Sequence, residues 1–400
     1  MPAVSIILPL YNGQPFIRHT ISRIRSQTFQ DWELLIINDG SADQGEAAAV
    51  QEAQTDRRIR VFGKPNGGIS SARNYGISKA AGTYIVFADQ DDTAGRNWLT
   101  ALVNGMAGNV DLAVGGKILT VIDASGKAVK SRVCRYEDTL LETEEERYGF
   151  LFNQENDASS QHVWNCMYKK ELIDAHSIRF DEHLAMGMED VLFNICYGYY
   201  CSKIRKIPQV VYSYRQRAGI STSTKYNPDI AKEYAHRMRI IAQLFGFPGQ
   251  SVASMQQRVQ TKGRANPMQQ GTQTQSHAYQ MYGDYALREL CNLYIRSKGN
   301  DGFELLAGLR DAYVQNVPER IPFGRKQPGK ACGNRKAVRK IRSGKALFKK
   351  LMYVMADDLL RKKRYFPLML LKSGADLCRK RGKTDGSEIP DKQKKYFSDR

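Results

Sequence analysis

Three aspartates follow a hydrophobic stretch in the N-terminal half of the chain, in the sequence TYIVFADQDD. Positions 83–88 are typical of a buried β-strand, and they lead directly into Asp89, Asp91 and Asp92. Carboxylates packed at the end of a buried strand repel one another and lose hydration, unless a cation or a ligand offsets the cost. Oxygen ligands suit Mg²⁺ or Mn²⁺ bridging to the phosphates of a substrate. The alternative is a solvated acidic turn or a helix N-cap before Trp98.

Three further stretches offer side chains that suit a nucleotide diphosphate. The turn LPLYNG presents Tyr11, whose ring could stack on a flat base, and Asp39 could accept a hydrogen bond from the imide N–H of a pyrimidine. The segment NGGISSARNYG places Arg73 near a glycine turn, where a guanidinium could neutralise a diphosphate. Singly, each residue has another interpretation: ordinary packing for Tyr11, a helix cap for Asp39 and a surface cation for Arg73. Together with the aspartates they fit a nucleotide diphosphate donor.

The elements that must position these residues alternate along the first 90 positions. The hydrophobic pattern predicts strands at 4–10, 32–38, 59–62 and 83–88, and helices at 17–24, 43–55 and 69–80. This order predicts an α/β fold with an open, mostly parallel sheet flanked by helices, whose ligands bind beyond the carboxyl ends of the strands. Asp39 and the Asp89/Asp91 pair both follow such ends.

The charge of the chain divides it into two parts. The formal net charge is +19, but residues 1–224 carry −2 and the remaining 176 residues carry +21. We therefore expect an α/β domain over 1–224 and a mainly helical, basic region over 225–382. Positions 249–280, rich in Gln, Ser and Thr, are predicted to be a linker or loop, and 383–400 a disordered tail.

Composition sets the broad class of the protein. At 400 residues, with 42% hydrophobic and 25% charged residues, the chain is typical of a multidomain globular protein. Its seven cysteines are widely spaced and lack a CxxC pair, which favours reduced packing cysteines over a zinc site or a disulfide framework. No signal peptide is recognisable and no apolar stretch reaches about 18 residues, so the sequence predicts a cytoplasmic protein.

The ordered motifs YNG, NDGS, GGISSARNYG and FADQDD resemble those of family 2 glycosyltransferases of the GT-A fold. The similarity continues through HVWNCMYKKELI, IRFDEHLAMGMEDVLFN and VYSYRQRAGISTS, which resemble acceptor-side segments of bacterial capsule and lipopolysaccharide enzymes. The resemblance covers about 220 residues. Four ordered motifs over such a span make a chance match remote.

The resemblance implies roles for the donor-side residues. The turn that contains Pro9 and Tyr11, with Asp39, would hold uracil or a related base, and uracil and thymine share the imide that Asp39 would read. Arg73 would contact the nucleotide or its phosphates. Asp89 would lie on the ribose or metal side of the nucleotide, and Asp91 would be the direct metal ligand; the resemblance gives Asp92 no definite role.

The resemblance also implies an acceptor side. Glu189 and Asp190 in MGMED match the family's acidic motif, with Asp190 as the general base, although many relatives have Gly-Glu-Asp without the intervening methionine. The spacing alone is as compatible with a capped helix start. Trp164 would stack on an acceptor sugar or else be a core residue. Arg215 and Arg217, with Ser221 and Ser223, match a segment near the diphosphate, or form a basic solvated loop.

These implications predict a metal-dependent, inverting glycosyltransferase that uses Mn²⁺ or Mg²⁺ and a UDP-sugar donor to build a bacterial surface polysaccharide. Its acceptor would be a saccharide or a polyprenyl-diphosphate-linked saccharide. A nucleotidyltransferase on a similar sheet would use the same acids but leaves the segments at 162–194 unexplained. A nucleic-acid-binding protein would carry basic residues interleaved with aromatics on a known module, and none is visible.

The basic C-terminal region has two interpretations. The stretch KAVRKIRSGKALFKKLMYVMADDLL carries apolar residues on one helical face with lysines around it, which suits an anionic membrane surface. In that case the protein would attach peripherally to the inner face of the cytoplasmic membrane. The other interpretation is a helical domain packed on the transferase, with a solvated basic face.

Overall fold

The structure is a computed structural model. It describes residues 1–123, 125–152, 162–184, 188–217 and 229–246, with positions 281, 282, 285, 286 and 289. The predicted linker at 249–280, the basic amphipathic stretch from 335 and the predicted tail at 383–400 lie outside the described residues. The chain divides into two compact units, Met1–Lys225 and Tyr226–Arg400.

The first unit alternates strands and helices at its N-terminal end and then becomes more irregular. Its strands, as far as the structure describes them, are β1 (Val4–Leu10), β2 (Trp32–Asn38), β3 (Ile59–Gly63), β4 (Tyr84–Phe87), β5 (Thr93–Ala94), β6 (Leu112–Ile122), β7 (Ala128–Cys134), β8 (Thr139–Leu141), β9 (Cys166–Lys169) and β10 (Ile204–Arg217). Its helices are α1 (Ile17–Arg25), α2 (Gly45–Thr55), α3 (Gly68–Lys79), α4 (Trp98–Gly105), α5 (Glu144–Phe152), α6 (Lys170–Ala175) and α7 (Met188–Tyr200).

One sheet joins these strands in the order β3-β2-β1-β4-β9-β6-β10-β5, with β7 paired to β6 and β8 paired to β10. The strands β3, β2, β1 and β4 are parallel, as the sequence predicts. The sheet as a whole is mixed, because β9 is antiparallel to both β4 and β6. It follows that β6, and β10 parallel to it, run in the same direction as β4.

Continuous apolar strands form here because helices cover both faces of the sheet. On one face Ile6, Leu34 and Val86 pack with Ile21 of α1 and Leu99 of α4 in a single buried cluster. Alternate strand residues point to the other face, where aromatic rings meet edge to face. Phe87 of β4 contacts Phe193 of α7 at 5.7 Å and Phe180 at 5.1 Å between ring centroids. The core therefore lies on both sides of the central strands.

The predicted elements of the first 90 residues agree with the structure. The bounds of β1 and β2 match the predictions, whereas α2 begins at Gly45 and β4 is shortened to Tyr84–Phe87. Three of the four described cysteines are buried, and all four are free thiols. No helix within the described residues is long and apolar enough to cross a membrane.

The second unit contributes α8 (Ile230–Leu244) and five further helical positions to the described residues. Arg237 of α8 is 1% exposed and pairs with Glu289 at 3.0 Å. The hydroxyl of Tyr234 donates to the carbonyl of Ala286 at 2.7 Å, and that of Tyr282 donates to Met238 at 2.9 Å. The described part of this unit thus has a buried core, which is joined by hydrogen bonds and one buried ion pair.

Candidate active site

The predicted donor-side residues meet at one edge of the sheet. Parallel strands end at a common edge, so Tyr11 after β1, Asp39 after β2 and Asp89 after β4 come together there. The direction of β10 brings its last residue, Arg217, to the same edge. The backbone amide of Asp39 donates to Leu10 at 2.9 Å, which joins the first two turns directly.

A glutamine links the first turn to the acidic turn. The side chain of Gln90 accepts the backbone N–H of Tyr11 at 2.9 Å and donates to the Tyr11 carbonyl at 3.0 Å. A Cβ at Gly13 would lie 2.3 Å from the Gln90 amide oxygen, so this contact needs a glycine there. The ring of Tyr11 is 50% exposed and free to receive a flat ligand. Pro9, two residues earlier in β1, is half-buried.

The carboxylate of Asp39 sits at the amino end of α3. It accepts backbone N–H groups from Gly67 at 3.0 Å and Gly68 at 2.8 Å, and the ammonium of Lys64 lies 2.5 Å from its Oδ1. Gly68 has φ +85°, a conformation that favours glycine. Asp39 is therefore a cap of α3, one of the two interpretations that the sequence left open. One lone pair of Oδ2 stays available to a base, since Gly68 uses the other.

The three aspartates after β4 have different surroundings. The backbone N–H of Asp89 donates to the hydroxyl of Tyr212 at 2.9 Å. Asp91 forms an ion pair with Arg217, whose Nη2 also donates to the Asp91 carbonyl at 3.0 Å. Asp92 is 2% exposed and accepts the backbone N–H of Arg215 at 2.9 Å. Asp92 thus ties the acidic turn to β10.

Burial raises the pKa of both Asp91 and Asp92. For Asp91 the neighbouring Asp89 adds to the effect of burial, while Arg217 opposes it. For Asp92 burial raises the pKa well above its ordinary value, and Asp91 and Asp89 add to it. The Oδ2 atom of Asp92 is buried with no hydrogen-bond partner. This turn concentrates negative charge that a cation would relieve.

Arg73 joins the acidic turn to the start of α7. Its side chain is 2% exposed, and its Nη1 lies 2.6 Å from Asp190 and 3.6 Å from Glu189. Its Nη2 lies 3.1 Å from Asp89. Burial opposes the charge on Arg73, but Asp190, Asp89 and Glu189 hold its pKa above the ordinary value. From the sequence we expected this guanidinium at the diphosphate. Its contacts with the carboxylates of Asp89, Glu189 and Asp190 were not predicted.

Glu189 and Asp190 occupy the first turn of α7, where the helix dipole favours negative charge. Both are buried, at 4% and 5% exposure. Burial raises the pKa of Asp190 to about 8, Arg73 opposes the shift, and Glu189 and Asp89 add to it. The preceding residues 185–187, which include the displaced glycine of MGMED, lie outside the described residues.

The indole of Trp164 is enclosed by other rings. It is 2% exposed and stacks on His162 and on Tyr212, each at 4.7 Å between centroids, and on Tyr214 at 5.8 Å. Its surroundings are those of a core residue, so it has little surface to offer an acceptor sugar. Arg215, by contrast, is exposed at the rim.

The donor set of the acidic turn fits a divalent cation. Asp89 and Asp91 are partly exposed, with 22% and 30% of their side chains accessible. Carboxylate oxygens are the ligands that Mg²⁺ and Mn²⁺ prefer, and Oδ2 of the neighbouring Asp92 is a further carboxyl oxygen with no hydrogen-bond partner. Because Arg217 forms an ion pair with Asp91, a metal ion at this carboxylate would compete with the Arg217 guanidinium.

Three residues of the site were not predicted from the sequence. They are Gln90, which holds Tyr11; Lys64, which pairs with Asp39; and Tyr212, whose hydroxyl receives the Asp89 amide. Gln90 lies between the acids of the motif, and Lys64 lies just before NGG, so their position in the sequence was a usable signal. Tyr212 had none, because it reaches the turn through the pairing of β10.

Comparisons with known proteins agree with this geometry. Residues 5–176 match the family model described as "Glycosyl transferase family 2". The chain is 32% identical over 233 residues to the uncharacterized glycosyltransferase EpsJ of Bacillus subtilis, covering 57% of this chain and 65% of EpsJ. It is 28% identical over 221 residues to the minor teichoic acid biosynthesis protein GgaB of Bacillus subtilis, covering 53% of this chain and 23% of GgaB. The chain therefore spans less than two thirds of both relatives.

A solved structure shows the same fold. Residues 1–349 of S. aureus TarS, crystallised with UDP-GlcNAc, superpose with a TM-score of 0.59 at 19% identity, covering 79% of this chain and 82% of the TarS chain. The α/β GT-A fold that the sequence motifs predict is thereby confirmed; the sheet is mixed, and β1, β2, β3, β4, β6 and β10 run in one direction.

Proposed function

We propose that this protein, whose residues 5–176 match the model of glycosyl transferase family 2, transfers a sugar from UDP to a hydroxyl group of a growing surface polysaccharide. The observation that carries the proposal is the meeting of Tyr11, Asp39, the acidic turn and Asp190 at one edge of the sheet. The name of GgaB supports a polysaccharide product, and the ligand of the TarS crystal supports a UDP-linked donor.

The donor would lie across the carboxyl ends of β1, β2 and β4. The exposed ring of Tyr11, after the half-buried Pro9, would stack on the base, while the remaining lone pair of Asp39 Oδ2 would accept the imide N–H. Asp89 would face the ribose. The exposed guanidinium of Arg215 would approach the diphosphate from the end of β10.

Asp91 and Asp89 would hold Mn²⁺ or Mg²⁺. The bound cation would supply charge neutralisation for the diphosphate that leaves. The chain's own contribution is the acidic turn, which Tyr212 and Asp92 tie to β10.

Asp190 would act as the general base. Its Oδ1 faces Arg73, and the carboxylate also accepts a backbone hydrogen bond from Val163, so a remaining lone pair of the carboxylate would take the proton of the acceptor hydroxyl. As the acceptor oxygen bonds to the anomeric carbon, the bond from that carbon to the diphosphate breaks, and UDP leaves with the electron pair. A single displacement of this kind inverts the anomeric configuration. Glu189, beside Asp190, would orient the acceptor.

The acceptor would be a saccharide or a polyprenyl-diphosphate-linked saccharide. Peripheral attachment to the cytoplasmic membrane would bring the enzyme to a lipid-linked acceptor, and the support for it is the net charge of +21 beyond position 224.

Calorimetric titration tests the donor class. UDP with Mn²⁺ should bind more tightly than UTP, and any heat from duplex DNA should vanish at 500 mM NaCl, because it would come only from the exposed basic charge. A preference for the triphosphate would favour a nucleotidyltransferase instead. A panel of nucleotide sugars with a synthetic lipid-linked acceptor, assayed by product mass, then identifies the sugar that is transferred.

A further inference from the structure

The guanidinium of Arg73 is engaged by carboxylates from two different parts of the chain. We infer that Arg73 is a positioning residue, which holds the carboxylates of Asp89 and Asp190 in place, and that it is not a ligand of the donor diphosphate. This inference deepens the proposed function and rests on it.

The contacts of Arg73 are divided between the two sides of the site. Nη2 bonds Asp89, which follows β4 on the donor side, while Nη1 bonds Asp190 in the first turn of α7. Glu189 lies within 3.6 Å of the same Nη1. One planar group therefore joins two acids that are about 100 residues apart in sequence. Its rigid fork fixes both carboxylates at once, which the single ammonium of a lysine does not do.

The burial of Arg73 argues against a role for it as a phosphate ligand. The residue is 1% exposed, its guanidinium lies 5.1 Å from the ring of Phe180, and its Nε is buried with no hydrogen-bond partner. A phosphate could reach Nη1 or Nη2 only by displacing a carboxylate. Arg215, whose side chain is exposed, offers a cation to the diphosphate without that cost.

The electrostatic consequence concerns the acceptor side. Without Arg73, the carboxylates of Asp89, Glu189 and Asp190 would repel one another in a buried region, and this repulsion would favour protonation or movement of Asp190. With Arg73 in place, the Asp190 carboxylate is held through Oδ1 in one orientation, from which it would meet the acceptor hydroxyl. Substitution of Arg73 should therefore lower the rate of the chemical step far more than the affinity for the nucleotide.

The experiment compares Arg73→Lys with the wild type and with Arg60→Lys. Arg60 also pairs with an acid, Glu33 at 2.9 Å, but lies on β3 away from the acidic turn. The dissociation constant for UDP with Mn²⁺ is measured by calorimetry. Turnover is measured as UDP release from UDP-glucose, UDP-galactose or UDP-GlcNAc, whichever is fastest, to give kcat and KM.

For Arg73→Lys we expect a UDP dissociation constant within about threefold of the wild type and a kcat lowered about 100-fold or more, consistent with loss of a positioned base. KM should change little, and Arg60→Lys should match the wild type. A UDP dissociation constant raised tenfold or more, with kcat retained, would identify a phosphate ligand and overturn the inference.

Asp190→Asn provides a second test that does not depend on how Arg73→Lys folds. This variant weakens one of the two bonds that hold the guanidinium. If Arg73 were a phosphate ligand restrained by Asp190, UDP would bind about tenfold more tightly to the variant; we expect unchanged affinity. A wild type that does not bind UDP with Mn²⁺ would instead defeat the proposed function itself.

Discussion

Asp190 is a carboxyl group in the protein interior, beside a guanidinium, at the first turn of α7. Because burial raises its pKa to about 8, a base at this position is half protonated near that pH. UDP release from a UDP-sugar should therefore rise about tenfold per pH unit on the acid side and level off above pH 8.

Asp190→Asn removes the group that titrates. The variant should lose transfer while UDP binding with Mn²⁺ stays within about threefold of the wild type. Rates measured from pH 5.5 to 9.5, with calorimetry at pH 7.5, check both statements. Near-normal turnover by this variant would exclude Asp190 as the base.

Arg217 forms an ion pair with Asp91, whose carboxylate we propose as the metal ligand. Replacing it by glutamine frees Asp91, so Arg217→Gln should bind Mn²⁺ alone more tightly, by about threefold to tenfold, in calorimetry without nucleotide. Arg205→Gln is the matched control, because Arg205 lies on the same strand and pairs with Asp138 at 2.9 Å. An unchanged Mn²⁺ affinity in Arg217→Gln would mean that Asp91 does not bind the metal.

Single residues differ in how far their types reveal their roles. The three aspartates after β4 were identifiable because acids rarely end a buried strand. The cap formed by Asp39 and the enclosure of Trp164 depend on neighbours that come from distant elements. Residue type alone therefore left two interpretations open for each; the tertiary contacts show that Asp39 caps α3 and that Trp164 is packed in the core, while base binding by Asp39 stays a prediction.

At the scale of elements, β1, β2 and β4 could be predicted because helices cover both faces and require continuous apolar runs. The later strands carry a weaker signal. The glycine pair of β6 falls at a register shift of β10, and β9 is only four residues long and antiparallel. Its place between β4 and β6 is set by packing over long sequence separations, which no local pattern encodes.

The packing of α3 on the sheet depends on a glycine. A Cβ at Gly76 would lie 2.4 Å from Cγ2 of Ile7, a stiff β-branched side chain in β1. Gly76→Ala should destabilise the protein by about 1–3 kcal/mol, because the helix must move away from the strand. A melting temperature several degrees lower, measured by circular dichroism, is the expected result.

Gly149 provides the control for that substitution. It lies in α5, where an added Cβ meets nothing within 4 Å. Gly149→Ala should leave the melting temperature unchanged or raise it slightly, because alanine is the better helix former. Equal losses in both variants would show that the contact with Ile7 is not the cause.

The whole molecule has an uneven distribution of charge. Residues 1–224 are nearly neutral and the remainder carries +21. If the basic part contacts a membrane, the full chain should co-sediment with phosphatidylglycerol vesicles at 50 mM NaCl and be released at 500 mM, since salt screens exposed charges. Vesicles of phosphatidylcholine are the control. Absence of sedimentation with both lipids would favour a packed helical domain with a solvated basic face.

The amide of Gln90, which bonds both backbone groups of Tyr11, has a consequence for the size of the donor. One end of a nucleotide diphosphate is its base and the other is its phosphates, and here the two receiving turns are fastened to each other by a single side chain. The distance between the Tyr11 turn and the acidic turn is therefore restrained by Gln90. If the base lies on Tyr11 and the phosphates lie at the acidic turn, as we propose, a nucleotide with a longer or shorter phosphate chain should fit only one of the two turns, and Gln90 would contribute to selectivity for a diphosphate.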